Sequence, residues 1–352
     1  MLQIGIRLHD VNTTREKARQ TMEERARTAK AEGFSCVHLA LSKVIEGTNF
    51  DEAAMTEGLA MYIKRVFGQN GLDVAVLGCY LNLAHPDREK LKQIQAKYYA
   101  NIRVAALSGA CMVGTETGAP NAAYKYEPAC HGQTALQTFI RNLEPVVAEA
   151  EKRGVTLAIE PVWNHIVWNP DRALAVLDAL GSRNLRIIFD PVNLLSSENV
   201  DDRERVIGKA MDKLCDRIAM VHLKDFIREN GSLKSVAAGT GEMDYSAILS
   251  FLKARKPYVM ATLENTDDTN AVWSREHIEN LYSAVIGPIP RARGPRAFRK
   301  IGRFRGGRWC PRDRSRPGGC GGRRCNPQRP PGHSPARAGP GRRFGAGPPF
   351  HR

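Results

Sequence analysis

Short apolar runs alternate with longer amphipathic stretches over the first 286 residues of this 352-residue chain. Each run has four to six residues, which is the length of a strand buried on both faces. We predict eight strands, at Gln3–Leu8, Cys36–Leu41, Val74–Cys79, Cys111–Gly114, Thr156–Pro161, Leu185–Asp190, Ile218–Leu223 and Val259–Glu264. Strands that alternate with helices are typical of repeated βα units and a parallel sheet.

The stretches between the runs have helical periodicity. We predict eight helices, at Thr14–Glu32, Asp51–Gln69, Arg88–Leu107, Thr134–Lys152, Pro170–Leu180, Asp202–Leu214, Tyr245–Ala254 and Ser274–Val285. The clearest start is Asn169, an N-cap residue followed by Pro170 in the first turn. Eight strands and eight helices predict a (β/α)8 TIM barrel over residues 1–286. The alternative is a doubly wound open sheet, but the first strand is not followed by a Gly-rich dinucleotide-binding sequence.

The composition changes abruptly after Ile286. Two thirds of residues 287–352 are Gly, Pro, Arg or Lys, so this segment cannot bury enough apolar surface to offset its ordering entropy. We predict a disordered, basic, low-complexity tail. The favoured interpretation is GC-rich DNA translated out of frame, which would make the tail spurious. The alternatives are an electrostatic arm for RNA or acidic surfaces and a linker to another domain.

The net charge of +15 also comes from the tail, which holds 18 of the 52 Lys and Arg residues but only one acid, Asp313. The remaining 286 residues carry 34 basic and 36 acidic side chains, so we expect nucleic acid to bind only non-specifically, through the tail. The eight cysteines form no C-x-x-C pair, and there is no signal peptide or apolar run of membrane-spanning length. These features predict a cytoplasmic protein without a membrane partner. They leave its oligomeric state open, a homo-oligomer included.

Polar residues stand at the ends of the last four predicted strands. These residues are Glu160, Asp190, His222 and Glu264. The carboxyl ends of the strands are where TIM barrels carry their reactive groups, so we expect the four side chains to converge. Three carboxylates and one imidazole are a mostly hard ligand set that suits Mn²⁺ better than a structural zinc ion. In the alternative interpretation, each acid caps the following helix or pairs with a lysine.

Four segments carry a family resemblance. They read V-T-L-A-I-E-P, N-L-R-I-I-F-D-P-V-N, V-H-L-K-D followed by G-T-G-E-M-D, and T-L-E-N. In order and spacing they resemble the sugar phosphate isomerase/epimerase group of the xylose isomerase-like TIM-barrel superfamily, which includes ketose 3-epimerases and inosose dehydratases. The resemblance implies that Glu160, Asp190, His222 and Glu264 bind one divalent metal, most often Mn²⁺, with Mg²⁺, Co²⁺ or Zn²⁺ as alternatives. It also implies that Glu160 and Glu264 are catalytic and exchange a proton at the substrate carbon.

Acid–base chemistry agrees with these roles. Epimerisation or isomerisation of a hydroxy-ketone needs a proton removed and returned, and a metal that chelates the carbonyl and hydroxyl oxygens stabilises the enediolate. The chain departs from ketose 3-epimerases at two positions, since Ile166 and Asn193 stand where that group has Glu and His. We therefore predict a metal-dependent isomerase or epimerase of a sugar, sugar phosphate or cyclitol. A lyase of inosose dehydratase or C-glycoside deglycosidase type is the alternative, and RNA binding through the tail is a more remote one.

Further residues are predicted to bind the carbohydrate substrate. Arg228 stands where ketose epimerases place a substrate-binding arginine, and Asn193 replaces their histidine. His165, Trp163, His38, Lys224 and Asp225 are the other candidates. Each has a structural alternative: ordinary packing for His165, Trp163 and His38, and an ion pair at the strand end for Lys224 and Asp225.

Overall fold

The structure, a computed structural model, describes residues 2–10, 20–45 and 50–285. Its strands are β1 (Gln3–Arg7), β2 (Cys36–Leu39), β3 (Asp73–Gly78), β4 (Met112–Glu116), β5 (Thr156–Glu160), β6 (Leu185–Phe189), β7 (Ile218–Leu223), β8 (Asp225–Glu229), β9 (Ser232–Val236) and β10 (Met260–Leu263). All except β8 and β9 pair in parallel and close into a barrel in the order β1-β10-β7-β6-β5-β4-β3-β2. The predicted eight-stranded TIM barrel is confirmed.

Eight long helices connect the strands. They are α1 (Met22–Ala31), α2 (Glu57–Gln69), α3 (Arg88–Ser108), α4 (Gln133–Arg153), α5 (Pro170–Leu180), α6 (Arg203–Leu214), α7 (Ser246–Arg255) and α8 (Ala271–Ala284). Helix α5 has both predicted ends. The Asn169 side chain accepts a hydrogen bond from the Arg172 backbone N–H at 2.9 Å, and Gly181 ends the helix in the left-handed conformation, at φ 62°.

Strand alternation divides the buried side chains between two cores. A large cluster lies between the strands and the helices and includes Ile159 and Phe189. A smaller cluster fills the barrel interior and includes Ala158, Ile188 and Met220. Successive side chains of a strand point to opposite faces, so the inward positions two residues further along are 160, 190 and 222. Because side chains alternate along each strand, these three predicted site residues point into the carboxyl-terminal mouth of the barrel.

Two differences from the predicted elements affect the site. Strand β4 ends at Glu116, two residues beyond the predicted Gly114, so it carries a carboxylate into the barrel mouth. Strands β8 and β9 form an antiparallel hairpin that was not predicted, with Asn230 and Gly231 at its turn at φ 51° and 74°. An Asn-Gly pair that supplies two positive φ values is a strong hairpin signal, and it was present in the sequence.

Two further predictions concern the carboxyl-terminal tail and membrane-spanning segments. The predicted tail at 287–352 lies outside the described residues, which end at 285. Within the part of the chain that the structure covers, no helix combines the length and the apolar composition that a bilayer crossing requires.

Candidate active site

His222 lies at the centre of the four predicted metal ligands. Its Nδ1 atom is 3.3 Å from Oε1 of Glu160 and 3.2 Å from Oε1 of Glu264. Possible ligand atoms of Glu160, Asp190 and His222 all lie within 4.8 Å of one another. The four residues are at most 2% exposed. The structure therefore brings the four residues together in a buried cluster at the mouth of the barrel.

Two cations adjoin this cluster. Lys224 Nζ is 2.8 Å from Oδ2 of Asp190 and 3.3 Å from Oε2 of Glu264, and an Arg7 nitrogen is 2.9 Å from the same Glu264 oxygen. Burial raises the pKa of Glu264, but His222, Lys224 and Arg7 outweigh burial and hold that pKa well below its ordinary value. Glu264 is thus kept ionised. Arg7 was not predicted as a site residue, although it is the one charged residue of the first predicted strand, Gln3–Leu8, and ends β1 in the structure.

The donor set fits a divalent cation. Three carboxylates face two cationic side chains, and one of these cations, Arg7, also pairs with a fourth carboxylate, Asp10, at 2.8 Å. Excess negative charge is therefore left for a bound cation or for a protonated His222 to balance. Burial alone lowers the pKa of His222, but Glu264 and Glu160 outweigh it and raise that pKa to about 9. One Nδ1 hydrogen cannot be donated fully to two carboxylates, and within the described residues neither ring nitrogen has a hydrogen bond of good geometry. A divalent ion would use the oxygens of Glu160 and Asp190 and a nitrogen of His222 together.

Two residues orient the carboxylates. The Asn193 side-chain amide donates to Oε1 of Glu160 at 2.6 Å. Oδ1 of Asp190 accepts from the backbone N–H groups of Val192 and Asn193 at 2.9 and 3.1 Å. Asp190 therefore caps the turn that follows β6 with one oxygen and turns the other, Oδ2, towards Lys224. The sequence analysis gave two alternatives for Asp190, a site residue or a local cap. Its side chain has the contacts of both.

His38 lies beside His222 inside the barrel. The two rings are stacked with centroids 5.4 Å apart, and His38 Nδ1 is 3.6 Å from Oε1 of Glu264. The Tyr80 hydroxyl is 3.2 Å from His38 Nε2. Burial lowers the pKa of His38 to about 4, so its ring is neutral near pH 7. Tyr80, which follows β3, was not predicted, because no apolar run ends at it.

Asp225 and Arg228 lie apart from the cluster. The Asp225 carboxylate is fully buried and accepts from the backbone N–H groups of Phe226, Gly239 and Met243 at 2.8, 3.1 and 2.9 Å. Those bonds hold the loop that follows the hairpin. The Arg228 guanidinium is half-exposed and pairs with Asp201 and Glu242 at 2.8 and 3.2 Å. The structure does not bring either residue into contact with the four candidate ligands.

Trp163 and His165 lie on the loop that follows β5. The Trp163 ring packs edge-on against His131 and Trp168, with centroids 5.4 and 5.0 Å away. Nδ1 of His165 is 3.8 Å from Oε2 of Glu116. Glu116 pairs in register with Glu160 on the neighbouring strand, so both stand at the same height of the barrel mouth. Glu116 was missed, because the predicted fourth strand ended before it.

Tyr80 also lines a cavity of about 290 Å³. His9, Lys43, Lys97 and Asn101 are among its lining residues. Since Tyr80 also contacts His38, this cavity adjoins the candidate site on the side of β2 and β3.

Comparison with known proteins gives the family and the fold. A family model described as "Xylose isomerase-like TIM barrel" matches residues 26–284. A probable L-ribulose-5-phosphate 3-epimerase of Mycoplasma pneumoniae is 27% identical over 139 residues, and the match spans 40% of this chain and 42% of that relative. The chain thus aligns with less than half the length of this curated relative.

Solved structures superpose on nearly the whole barrel. A D-tagatose 3-epimerase-like protein has a TM-score of 0.63 at 15% identity, over 80% of this chain and 98% of that one. The IOLI protein, described with a bound zinc atom, has a TM-score of 0.62 at 14% identity, over 81% and 99% of the two chains. At these identities the likeness establishes the shared fold.

Proposed function

Because the chain belongs to the xylose isomerase-like TIM barrel family, we propose that it is a divalent-metal-dependent isomerase or epimerase of a sugar, sugar phosphate or cyclitol. The observation that carries the proposal is the approach of Glu160 and Glu264 to the same nitrogen of His222, Nδ1, at 3.3 and 3.2 Å. Two carboxylates around one centre are what a reaction needs if it removes and returns a proton.

Glu160, Asp190 and His222 would hold the ion, with Glu264 beside it. When bound, a divalent cation supplies Lewis acidity, which stabilises negative charge that develops on substrate oxygens. Mn²⁺ fits the three-carboxylate set best, and Mg²⁺, Co²⁺ and Zn²⁺ are the alternatives. The zinc atom described for the IOLI protein, which shares this fold, supports the proposal that the protein binds a divalent metal.

The two glutamates differ in their surroundings. Glu264 contacts Arg7 and Lys224, which keep it ionised and ready to accept a proton. Glu160 contacts no arginine or lysine within the described residues and is held instead by the neutral Asn193 amide at 2.6 Å. Burial raises the pKa of Glu160, but His222 and Lys224 outweigh it and lower that pKa, so Glu160 is ionised as well. We assign proton removal to Glu264 in one direction, and Glu160 then takes from solvent the proton that it returns to the substrate. In the reverse direction the roles exchange.

The substrate class is a small carbohydrate. The curated epimerase relative and the buried, polar mouth of the barrel both support this class. The cavity beside Tyr80 is lined by Lys43 and Lys97, which suits a phosphorylated sugar as well as a free one. His38, Lys224, Asn193, Trp163 and His165 are proposed to border the substrate, and Arg228 and Asp225 to shape the loop above it.

Solvent exchange tests the proton-transfer mechanism. The Mn²⁺-loaded protein is incubated in D₂O with ketoses, ketose phosphates, inososes and 3-oxo-glycosides, and substrate and product are followed by NMR. Deuterium should appear at the reacting carbon, because a carboxylic acid exchanges its proton with solvent. Glu160→Gln and Glu264→Gln should each lose at least roughly 10²–10⁴-fold in rate, which is the contribution of general acid–base catalysis. Glu144→Gln, an exposed change on α4, is the matched control.

Two outcomes would require a different function. Product without deuterium, and without exchange into recovered substrate, indicates an internal hydride shift, and the two-carboxylate assignment is then withdrawn. Loss of water or of an aglycone from the substrate would assign the lyase alternative.

A further inference from the structure

Glu116, Tyr124 and His165 form a second polar group at the barrel mouth, separate from the four candidate metal ligands. The Tyr124 hydroxyl donates to Oε2 of Glu116 at 3.2 Å, and His165 Nδ1 is 3.8 Å from the same oxygen. The rings of Tyr124 and His165 are 5.3 Å apart. We call these three residues the β4 rim cluster.

The direction of Glu116 follows from its neighbour Thr115. The Thr115 hydroxyl is 2.5 Å from the hydroxyl of Tyr98, which belongs to the outer helix α3, so Thr115 points outward. Because side chains alternate along a strand, Glu116 points inward. Its strand pairs with β5 in register, Glu116 opposite Glu160, and paired parallel strands lie about 4.8 Å apart. Glu116 is therefore next to the catalytic candidates and faces the same space.

The loop that carries Tyr124 is built to hold it in place. Tyr124 has a φ of 55°, a strained left-handed conformation that residues with a bulky side chain rarely adopt. The turn beneath it is closed by Asn121, whose side chain accepts from the Lys125 N–H at 3.2 Å and donates to the Lys125 carbonyl at 2.8 Å. The strain is thus maintained by specific contacts.

Asn82 fixes the same loop from inside the protein. Its buried amide donates to the carbonyls of Ala119 and Asn121, both at 2.9 Å, and its oxygen accepts from the N–H groups of Ala84 and Ala119. Gly118 makes this approach feasible, because it has a φ of 73° and a Cβ there would overlap the Asn82 side chain. The loop after β4 therefore has a single preset position.

The loop after β5 is tied to the loop after β4, which sets the position of His165. The Ile166 N–H donates to the Gly118 carbonyl at 3.1 Å, and the Val167 N–H donates to the Thr117 hydroxyl at 2.9 Å. His165 Nδ1 is buried and has no hydrogen-bond partner within the described residues. A preorganised group with an unpaired buried nitrogen is typical of a site that receives a polar ligand.

We propose that the β4 rim cluster is the specificity-determining site of the enzyme, and that it binds two adjacent hydroxyl groups of the carbohydrate at carbons away from the reacting one. The two oxygens of Glu116 accept from the adjacent hydroxyls, and Tyr124, which donates to Oε2, orients that carboxylate. Among the described residues this is the one side-chain hydrogen bond of Glu116, so Oε1 and the second lone pair of Oε2 are left to the ligand, as is the unpaired Nδ1 of His165. The inference rests on the proposed function only for the choice of a carbohydrate as the ligand.

Binding measurements test this site without requiring turnover. The probes are D-fructose, D-tagatose, ribitol, D-mannitol and myo-inositol, together with deoxy analogues that each lack one hydroxyl, titrated calorimetrically into the full chain loaded with Mn²⁺. Burial and the neighbouring Glu160 raise the pKa of Glu116 to about 7, so the titrations are made well above neutral pH, where its carboxylate is ionised. Hydrogen bonds to a charged group contribute about 1.5–3 kcal/mol, which corresponds to roughly 10–100-fold in Kd. We expect Glu116→Gln and Tyr124→Phe to weaken binding by this range and to leave the metal content unchanged.

The deoxy analogues supply the decisive comparison. For one pair of adjacent carbons, an analogue that lacks either hydroxyl should bind the wild type roughly 10–100-fold more weakly than the parent compound does. The same analogue should bind Glu116→Gln about as well as the parent compound does, because this variant has already lost the interaction with that hydroxyl. Glu144→Gln, on the exposed face of α4, and Tyr258→Phe, 84% exposed just before β10, are the controls and should bind like the wild type.

Each remaining outcome decides the proposal. Equal penalties in wild type and variant for every deoxy analogue overturn it, as does the absence of binding of every probe to the wild type. Loss of metal from Glu116→Gln also overturns it, since Glu116 would then be a metal ligand. If the probes bind with the expected coupling but no sugar is converted, the proposed isomerase function fails while this assignment stands.

Discussion

His222 joins the two glutamates of the candidate site, and Asp190 adds the third carboxylate. Replacement of Asp190 or His222 by Ala should abolish stoichiometric divalent metal while the barrel stays folded, because each removes one of three clustered ligands. The loss of affinity should exceed the roughly 10–100-fold that changes to outer-shell partners cost. Metal analysis of the purified variants and circular dichroism measure both effects.

Added metal should stabilise the wild type against unfolding but not a variant that lacks a metal ligand. Mn²⁺ at about 100-fold over its Kd should add about 2.7 kcal/mol to the free energy of unfolding of the wild type and almost nothing to that of Asp190→Ala. Asp216→Ala is the control, because its carboxylate is 92% exposed and lies outside the barrel mouth. Full metal content in both site variants would contradict the assigned ligands.

The candidate ligands could be predicted from the sequence because each interrupts or ends an apolar run. Glu160 and Glu264 each follow uncharged strand residues, and Asp190 follows three apolar ones, at the strand ends where TIM barrels carry their reactive groups. Glu116 also stands at the end of its strand. The same rule would have identified it if the predicted fourth strand had been extended beyond Gly114 through Thr115. Tyr124 could not be predicted, because its position depends on a left-handed turn held by Asn82, 42 residues earlier in the chain.

Helix α5 is the element whose ends the sequence defines most sharply. Asn169→Ala should lower the free energy of unfolding by about 1 kcal/mol, because the Arg172 N–H then loses its side-chain acceptor. Asn169→Ser keeps an acceptor at the N-cap and should restore most of the loss. Chemical denaturation of the three proteins measures the differences. Equal stability of the Ala and Ser variants would show that the cap contributes nothing.

The strands were more predictable than the connections between them. The predicted and observed bounds of β7, Ile218–Leu223, coincide, because a strand buried on both faces is a plain apolar run. The β8–β9 hairpin was missed because its residues, including Arg228 and Lys234, do not alternate between polar and apolar. Its existence depends on the Asn230–Gly231 turn and on the buried Asp225, whose hydrogen bonds link residues up to 18 positions apart.

At the scale of the whole molecule, the basic segment 287–352 is predicted to be dispensable. All barrel strands lie before residue 264, and the last described helix ends at Ala284. A chain of residues 1–286 should therefore unfold at the same temperature as the full chain, with the same metal content and turnover. Failure of the shortened chain to fold would show that the boundary is wrong.

The same truncation separates the interpretations of the basic segment. Its removal changes the net charge from +15 to −2, counted over the sequence. If the segment is an RNA-binding arm, the full chain should bind a homopolymeric RNA with a strong salt dependence, and the shortened chain should not. If neither chain binds RNA, the arm interpretation is excluded.

The closed barrel also limits which strand edges could pair with a strand of another polypeptide. Every barrel strand is paired on both sides, so among the described strands only β8 and β9 keep an unpaired edge. Exposed edges invite strand addition and aggregation, and natural proteins counter this with short strands and charged residues. The hairpin has both features, since its strands have five residues each and its outer part exposes Arg228, Glu229 and Lys234. Within residues 2–10, 20–45 and 50–285, self-association by backbone pairing is therefore confined to this hairpin, and its charges oppose it.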